Sequence, residues 1–199
     1  MSVHSTSTTL KVNSTQTMDN IIKFISNNVR GLQSHIKRRK IFHRLNSQPD
    51  PAVIMLQETH STAQNEKQWR AEWGGQAYFC HGTNEARGVC ILIKNNVDFQ
   101  LKHTHKDLEG RLLQISGTLQ DKSITISNIY GPNKDDVKFF MNVQEKLEAE
   151  ETDYSIIGGD FNCILDNNLD KKGGTARHAN KKNHCPRLHN HLDGREQSD

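Results

Sequence analysis

Apolar positions along the chain gather into short runs set apart by polar punctuation, with stretches of helical spacing between some of them. IIKFIS (21–26) is the first run, β-branched and strand-like, and it closes on the polar group NNVRG. After Ser34, the residues Ile36, Ile41, Phe42 and Leu45 recur at roughly helical spacing, and that pattern ends before Pro49–Asp50–Pro51. AVIMLQ (52–57) reads as a second buried strand. Trp69 and Trp73, four residues apart, predict a helix across 63–73 that stops at Gly74–Gly75 and uses both rings for packing. Strand-like runs then follow one another: QAYFCH (76–81), GVCILIK (88–94), LLQISGTL (112–119) and SITISNIY (123–130). Residues 134–151 carry Val137, Phe140, Val143 and Leu147 on one helical face, and YSIIGGDFN (154–162) is the last clear strand. Strand after strand in the middle, with helices around it, predicts an α/β sandwich of two sheets with outer helices.

Both ends of the chain lack this pattern. Nine of the first twenty residues are Ser or Thr, too little apolar surface to offset ordering entropy, so 1–20 is expected to be a disordered tail. Between Asp170 and Asp199 the only aliphatic residues are Ala176, Ala179, Leu188 and Leu192, which leaves a weakly structured tail at 170–199 and the folded domain at 21–169.

Composition narrows the class. Hydrophobic residues make up 33% and charged residues 25%, so a core forms only where the apolar runs concentrate. The net charge of +3 is compatible with a phosphate-rich partner without specifying one. Four cysteines stand far apart with no C-x-x-C pair, which suits a reducing compartment. No apolar run approaches the ~18 residues needed to span a bilayer, and the N-terminus has no secretory core. The expectation is an intracellular, soluble monomer with no membrane partner.

Chemistry-bearing side chains collect where strands end. Asn28 follows IIKFIS, Glu58 follows AVIMLQ, Tyr130 and Asn133 follow SITISNI, and Asp160 and Asn162 follow YSIIGG. Adjacent strand ends are where α/β proteins assemble sites. Two carboxylates, three carboxamides and a phenol form an oxygen-rich set suited to Mg²⁺, which takes few carboxylates and keeps waters for a phosphate substrate. Zinc spacing is absent from this set. Singly, each residue has a plainer reading: Asn28 as a turn former, Glu58 as an acid at a helix start, GGD (158–160) as a tight turn. Their joint occurrence in order favours a site.

The strings NNVRGL (27–32), LQETH (56–60), NIYGPN (128–133) and GGDFNC (158–163) resemble the ordered motifs of the exonuclease–endonuclease–phosphatase superfamily. Within it they are most similar to the endonuclease domain of LINE-type (non-LTR) retrotransposons and to apurinic/apyrimidinic endonucleases and exonuclease III. The resemblance covers about residues 21–170 and extends to EARGVCILI (85–93) and LEGRLLQI (108–115). It implies a four-layer, DNase I-like α/β sandwich that cleaves DNA with Mg²⁺, or with Mn²⁺ in its place, in the nucleus. By the resemblance, Glu58 holds the metal and Asn28 positions metal and phosphate. Tyr130 hydrogen-bonds the scissile phosphate, Asp160 orients or activates the attacking water, and Asn162 steadies phosphate. Glu58, Asn28, Asp160 and Asn162 thus form the implied metal shell. Asn133 braces it and, with Arg30, serves the DNA backbone.

A family member also needs a C-terminal strand ending in Ser-Asp-His. Ser198–Asp199 is not that element, because no apolar strand precedes it and it follows Asp160 too soon. The expectation is therefore a domain incomplete at its C-terminus, with an open sheet edge and impaired catalysis. The alternatives weighed are a non-catalytic nucleic-acid binder and another phosphodiesterase or phosphatase of the superfamily. The basic run Lys37–Arg38–Arg39–Lys40 reads as a solvated helix face before it reads as a DNA contact. His178, His184, His189 and His191 with Cys185 fit no structural zinc spacing and read as tail composition.

Overall fold

A computed structural model of the chain describes residues 5–10, 21–133, 136–149 and 151–162. They belong to two compact units, Met1–Tyr130 with Glu150–Asp160, and Gly131–Ala149 with Phe161–Asp199. The first unit contains β1 (Ser5–Leu10), β2 (Ile22–Asn28), α1 (His35–Asn46), β3 (Ala52–Gln57), α2 (Ala63–Trp73), β4 (Gln76–Cys80), β5 (Val89–Ile93), β6 (Phe99–Lys106), β7 (Leu112–Leu119), β8 (Lys122–Tyr130) and β9 (Tyr154–Asp160). Its strands form a five-stranded sheet in the order β1-β2-β3-β5-β4 and a four-stranded sheet in the order β6-β7-β8-β9. The pairs β2–β3 and β8–β9 are parallel and the others are antiparallel. The expected two-sheet α/β sandwich is what forms.

Burial on both faces explains the continuous apolar runs. All six residues of β3 are buried. Val53 and Met55 join Phe24, Ile91, Leu113 and Ile126 in the core between the sheets. Ala52, Ile54 and Leu56 face the other way, into a cluster with Phe42 of α1 and Trp69 and Trp73 of α2. Burying each large side chain of this kind contributes about 1.5–3 kcal/mol. Both tryptophans pack, as their spacing predicts: Trp73 meets Phe42 edge-on at 5.6 Å and Trp69 meets Phe79 at 6.1 Å. Gly74 ends α2 in the left-handed conformation, φ +78°, which costs a glycine little.

The basic run on α1 is only partly solvated. Lys37 Nζ donates to the carbonyls of Val29 (2.7 Å) and Arg30 (2.9 Å). Arg38 is 2% exposed, grips Glu72 of α2 through Nε (2.6 Å) and Nη2 (2.8 Å), and lies 4.9 Å over the Trp69 ring. Two of the four cations therefore build the fold.

One local expectation needs correction, and one strand lies where none is predicted. Residues 1–20 do not all lie in a structureless tail, since Ser5–Leu10 pairs antiparallel with β2 along its full length. Its β-branched threonines favour extended backbone, and an edge strand needs only ladder hydrogen bonds. β6 was not anticipated because most of its residues are exposed and no apolar alternation marks it. Gly158 and Gly159 lie inside β9, within the strand that YSIIGGDFN predicts, and not in a tight turn.

The second unit contributes α3 (Val137–Glu148), capped by Asp136 Oδ1 accepting from Phe139 N at 3.0 Å. Phe140 and Val143 are buried, whereas Val137, expected on the same apolar face, is exposed. The histidine-rich stretch, the tail at 170–199 and Ser198–Asp199 fall outside the described residues. Among the described residues no helix is long and apolar enough to cross a membrane.

Candidate active site

The two parallel pairs carry the chemistry to one place. In β2–β3 the register sets Asn28 beside Gln57, which precedes Glu58, and in β8–β9 it sets Tyr130 beside Asp160. Glycine lets β9 come close enough. A Cβ on Gly159 would lie 2.0 Å from the Ile129 carbonyl oxygen, and its φ of +147° disfavours any other residue. Beneath the site, a buried amide pair joins the sheets. Gln57 Nε2 donates to Asn128 Oδ1 at 2.7 Å, while Asn128 Nδ2 donates to the carbonyls of Leu56 (3.0 Å) and Cys90 (2.8 Å).

Asn28 is the hub. Its Nδ2 donates to Glu58 Oε1 at 2.9 Å and to Asp160 Oδ2 at 2.8 Å, and its Oδ1 accepts from the Arg30 amide at 3.1 Å. The Arg30 contact fixes the amide orientation. Asn28 thus meets the carboxylates as a donor. Tyr130 Oη donates to the same Glu58 oxygen at 2.9 Å. Four of the residues marked in the sequence are therefore within one hydrogen-bonded cluster.

Glu58 sits on a costly turn. Its φ is +51° and that of His60 is +57°, a left-handed conformation that costs side-chain-bearing residues roughly 1–3 kcal/mol each. Hydrogen bonds over-determine it: Gly31 N to Glu58 O (2.6 Å), Leu32 N to Thr59 O (3.0 Å), Thr59 N to Gly88 O (2.9 Å) and His60 N to Arg87 O (2.9 Å). Burial holds the His60 imidazole below its ordinary value; the Glu58 carboxylate opposes that shift and Lys37 adds to it. Cys80 and Cys90 are buried free thiols, and burial pushes that of Cys80 up to about 12, so both are unreactive here.

Arg30 is exposed on the turn after β2. Asn133 and Asn162 belong to the second unit, where Asn133 is exposed and Asn162 Nδ2 donates to the Gly131 carbonyl at 2.7 Å. Gln57 and Asn128 are functional amides outside the set marked at the strand ends. A signal was present: each is an amide inside an otherwise apolar or β-branched run.

The donor set fits a hard cation. Two carboxylates share one amide proton donor, and a cation relieves the repulsion between them. Among the described residues no group of three or more His, Cys, Asp or Glu side chains is placed to hold a metal. Mg²⁺ suits such a pair, since it binds one or two carboxylates and keeps several waters. Glu58 and Asp160 are the residues that would hold it.

Comparison with known proteins bears on the fold and the family. Over 118 residues the chain is 32% identical to the "Transposon TX1 uncharacterized 149 kDa protein" of Xenopus laevis, a match covering 58% of this chain and 9% of that protein. Its fold is similar to that of an AP endonuclease from Leishmania major, with TM-score 0.56 and 17% identity over 76% of this chain and 58% of the other. The endonuclease domain of TRAS1, a telomere-specific non-LTR retrotransposon, gives TM-score 0.50 and 10% identity over 71% of this chain and 60% of the domain. The chain thus spans little more than half the length of these structures and a small part of the transposon protein. Residues 16–194 match the model of one family, and the chain belongs to it: the Endonuclease/Exonuclease/phosphatase family.

Proposed function

We propose that this chain is a Mg²⁺-dependent phosphodiesterase domain of retroelement origin that cleaves the DNA backbone, with Mn²⁺ as a substitute ion. The observation that carries the proposal is Asn28, one amide nitrogen serving carboxylates 30 and 132 residues away in sequence. A core has no use for two carboxyl groups at one amide donor, whereas phosphodiester hydrolysis does. A divalent cation held by Glu58 and Asp160 supplies neutralisation of the charge that builds on the phosphate oxygens. Asn28 keeps both carboxylates in place before substrate arrives. Tyr130 Oη, whose one hydrogen lies on Glu58 here, would turn that hydrogen to a non-bridging oxygen when phosphate binds. Asp160 accepts a proton from the attacking water, a step worth ~10²–10⁴-fold. Asn162, Asn133 and Arg30 take phosphate and backbone binding as their proposed role. DNA is the favoured substrate because the similar proteins include an AP endonuclease and a retrotransposon endonuclease domain.

A plasmid-nicking assay tests this on the full chain and on the chain extended by the C-terminal segment of a related domain. Mg²⁺-dependent nicking is expected, in the extended form above all, because the chain spans 58% and 60% of the two similar structures. Glu58→Ala and Asp160→Ala should each lower the rate by about 10³-fold. Mg²⁺-independent DNA retention on a filter with no nicking in either form would make the domain a binder and overturn the proposal.

A further inference from the structure

Beside the Glu58 turn runs a chain of side-chain contacts that the proposed chemistry does not use. Ser61 Oγ lies 3.0 Å from His81 Nδ1, and His81 Nε2 lies 2.8 Å from Glu66 Oε2 on α2. Glu66 Oε1 in turn accepts from Arg70 Nε at 2.8 Å, and the His81 ring stacks on Phe79 at 5.9 Å. A serine, a histidine and a glutamate in series suggest nucleophilic catalysis, but Ser61 is fully buried, with no exposed surface for a substrate to reach.

The contacts lead the other way, toward Glu58. Ser61 N donates to Thr59 Oγ1 at 3.3 Å, and Thr59 Oγ1 donates to Ser61 Oγ at 3.2 Å. Thr59 is also fully buried and directly follows Glu58. With its oxygen accepting from Thr59, the Ser61 hydroxyl places its own hydrogen on His81 Nδ1. The arrangement that satisfies every group is the tautomer with its proton on Nε2, facing Glu66, and Nδ1 bare toward Ser61. Every hydroxyl in the series has an acceptor only while His81 offers a bare Nδ1. Without that nitrogen, a buried hydroxyl beside the strained turn has no acceptor, which costs free energy that only a shift of the turn relieves.

We propose that His81 is a positioning residue for the proposed reaction, holding the Glu58 turn through Ser61 and Thr59 from a site outside the carboxylate cluster. The inference rests on the reading of Glu58 as the metal-holding carboxylate. His81→Leu removes the acceptor. His81→Asn restores it, because its Oδ1 takes the place of Nδ1, while the contact to Glu66 is lost.

The test uses the full chain with two readouts. Amide hydrogen exchange at Thr59 and His60 follows the turn, and Mn²⁺ titration, with Glu58→Ala as the control, follows the metal site. In His81→Leu, exchange at Thr59 and His60 should quicken about tenfold while the β7 amides stay unchanged. The Mn²⁺ half-saturation concentration should rise several-fold. In His81→Asn both should lie within about twofold of the parent chain. Unchanged exchange in His81→Leu, or acceleration spread evenly over β3, β5 and β7 in both variants, would overturn the assignment. If the parent chain shows no Glu58-dependent Mn²⁺ binding, the metal reading fails, while exchange at Thr59 and His60 still decides the role of His81.

Discussion

Glu58 and Asp160 share one amide donor, yet the fold holds them by different means. Glu58 follows a strand buried at all six positions, between two apolar clusters, and its turn accepts backbone hydrogen bonds from Gly31 and Leu32 and donates to the Arg87 and Gly88 carbonyls. Asp160 ends β9, which among the described residues pairs with β8 alone and exposes Tyr154, Ser155 and Ile157. One carboxylate is preorganised by a turn locked behind a buried strand, the other by close backbone approach at Gly159. Electrostatic catalysis needs both to hold position without reorganising. The β9 end is therefore where small changes should disturb the site most.

Gly159→Ala breaks the contrast most directly. The new Cβ would meet the Ile129 carbonyl oxygen at 2.0 Å, on a backbone at φ +147°. Overpacking and backbone strain together should cost roughly 4 kcal/mol. Denaturant unfolding gives the size, and hydrogen exchange gives the place: β9 amides should lose protection while β3 amides keep most of theirs. Equal loss at both strands would mean that the two ends open as one unit. Arg38→Ala tests the other end. It leaves Glu72 without its fork and the Leu32 carbonyl without a donor at 2.9 Å. Since Glu72 keeps 18% side-chain exposure, the loss should be smaller than for a fully buried pair, roughly 2–3 kcal/mol. Gly158→Ala should cost about 1 kcal/mol, because the atom its Cβ meets first, at 2.4 Å, is the flexible Met55 Cε.

The same contrast marks what the sequence made legible. β3, α2 and β7 stand at the residues their patterns predict, because burial on one or both faces writes itself into apolar spacing. β1 and β6 left no such mark, since an edge strand is held by ladder hydrogen bonds that any side chain permits. Asn28, Glu58, Tyr130 and Asp160 were legible as polar types at strand ends. The direction of the Asn28 amide was not, since it depends on two carboxylates and a turn that only folding brings together. For the same reason the run Lys37–Lys40 reads as solvated, although Arg38 finds Glu72 34 residues away. Gln57 and Asn128 were visible as amides in strand-like runs, but only the pairing of the two sheets gives them a role.

Acid gives the mildest probe, and it separates the two ends. Hydrogen bonds from Arg38 hold the Glu72 carboxyl below its ordinary value, outweighing the opposing push of burial. At the β9 end, hydrogen bonds from the Ser123 side chain and amide do the same for exposed Asp153, which ties the entry of β9 to β8. Both folded values are depressed. Their stabilisation is therefore present above the unfolded values and lost as pH falls through the folded ones, in the acid range below about 4. Comparing exchange near pH 6 with that at the lowest pH where the chain stays folded should show modest loosening at both ends. Glu72→Gln should lessen the acid dependence at the Glu58 turn, where His60 and Glu66 also contribute, and leave that of β9, and Asp153→Asn should lessen that of β9 and leave that of the turn. If either substitution flattened both responses, the two carboxylates would be held by one cooperative structure, and a change at β9 would reach Glu58 as strongly as it reaches Asp160.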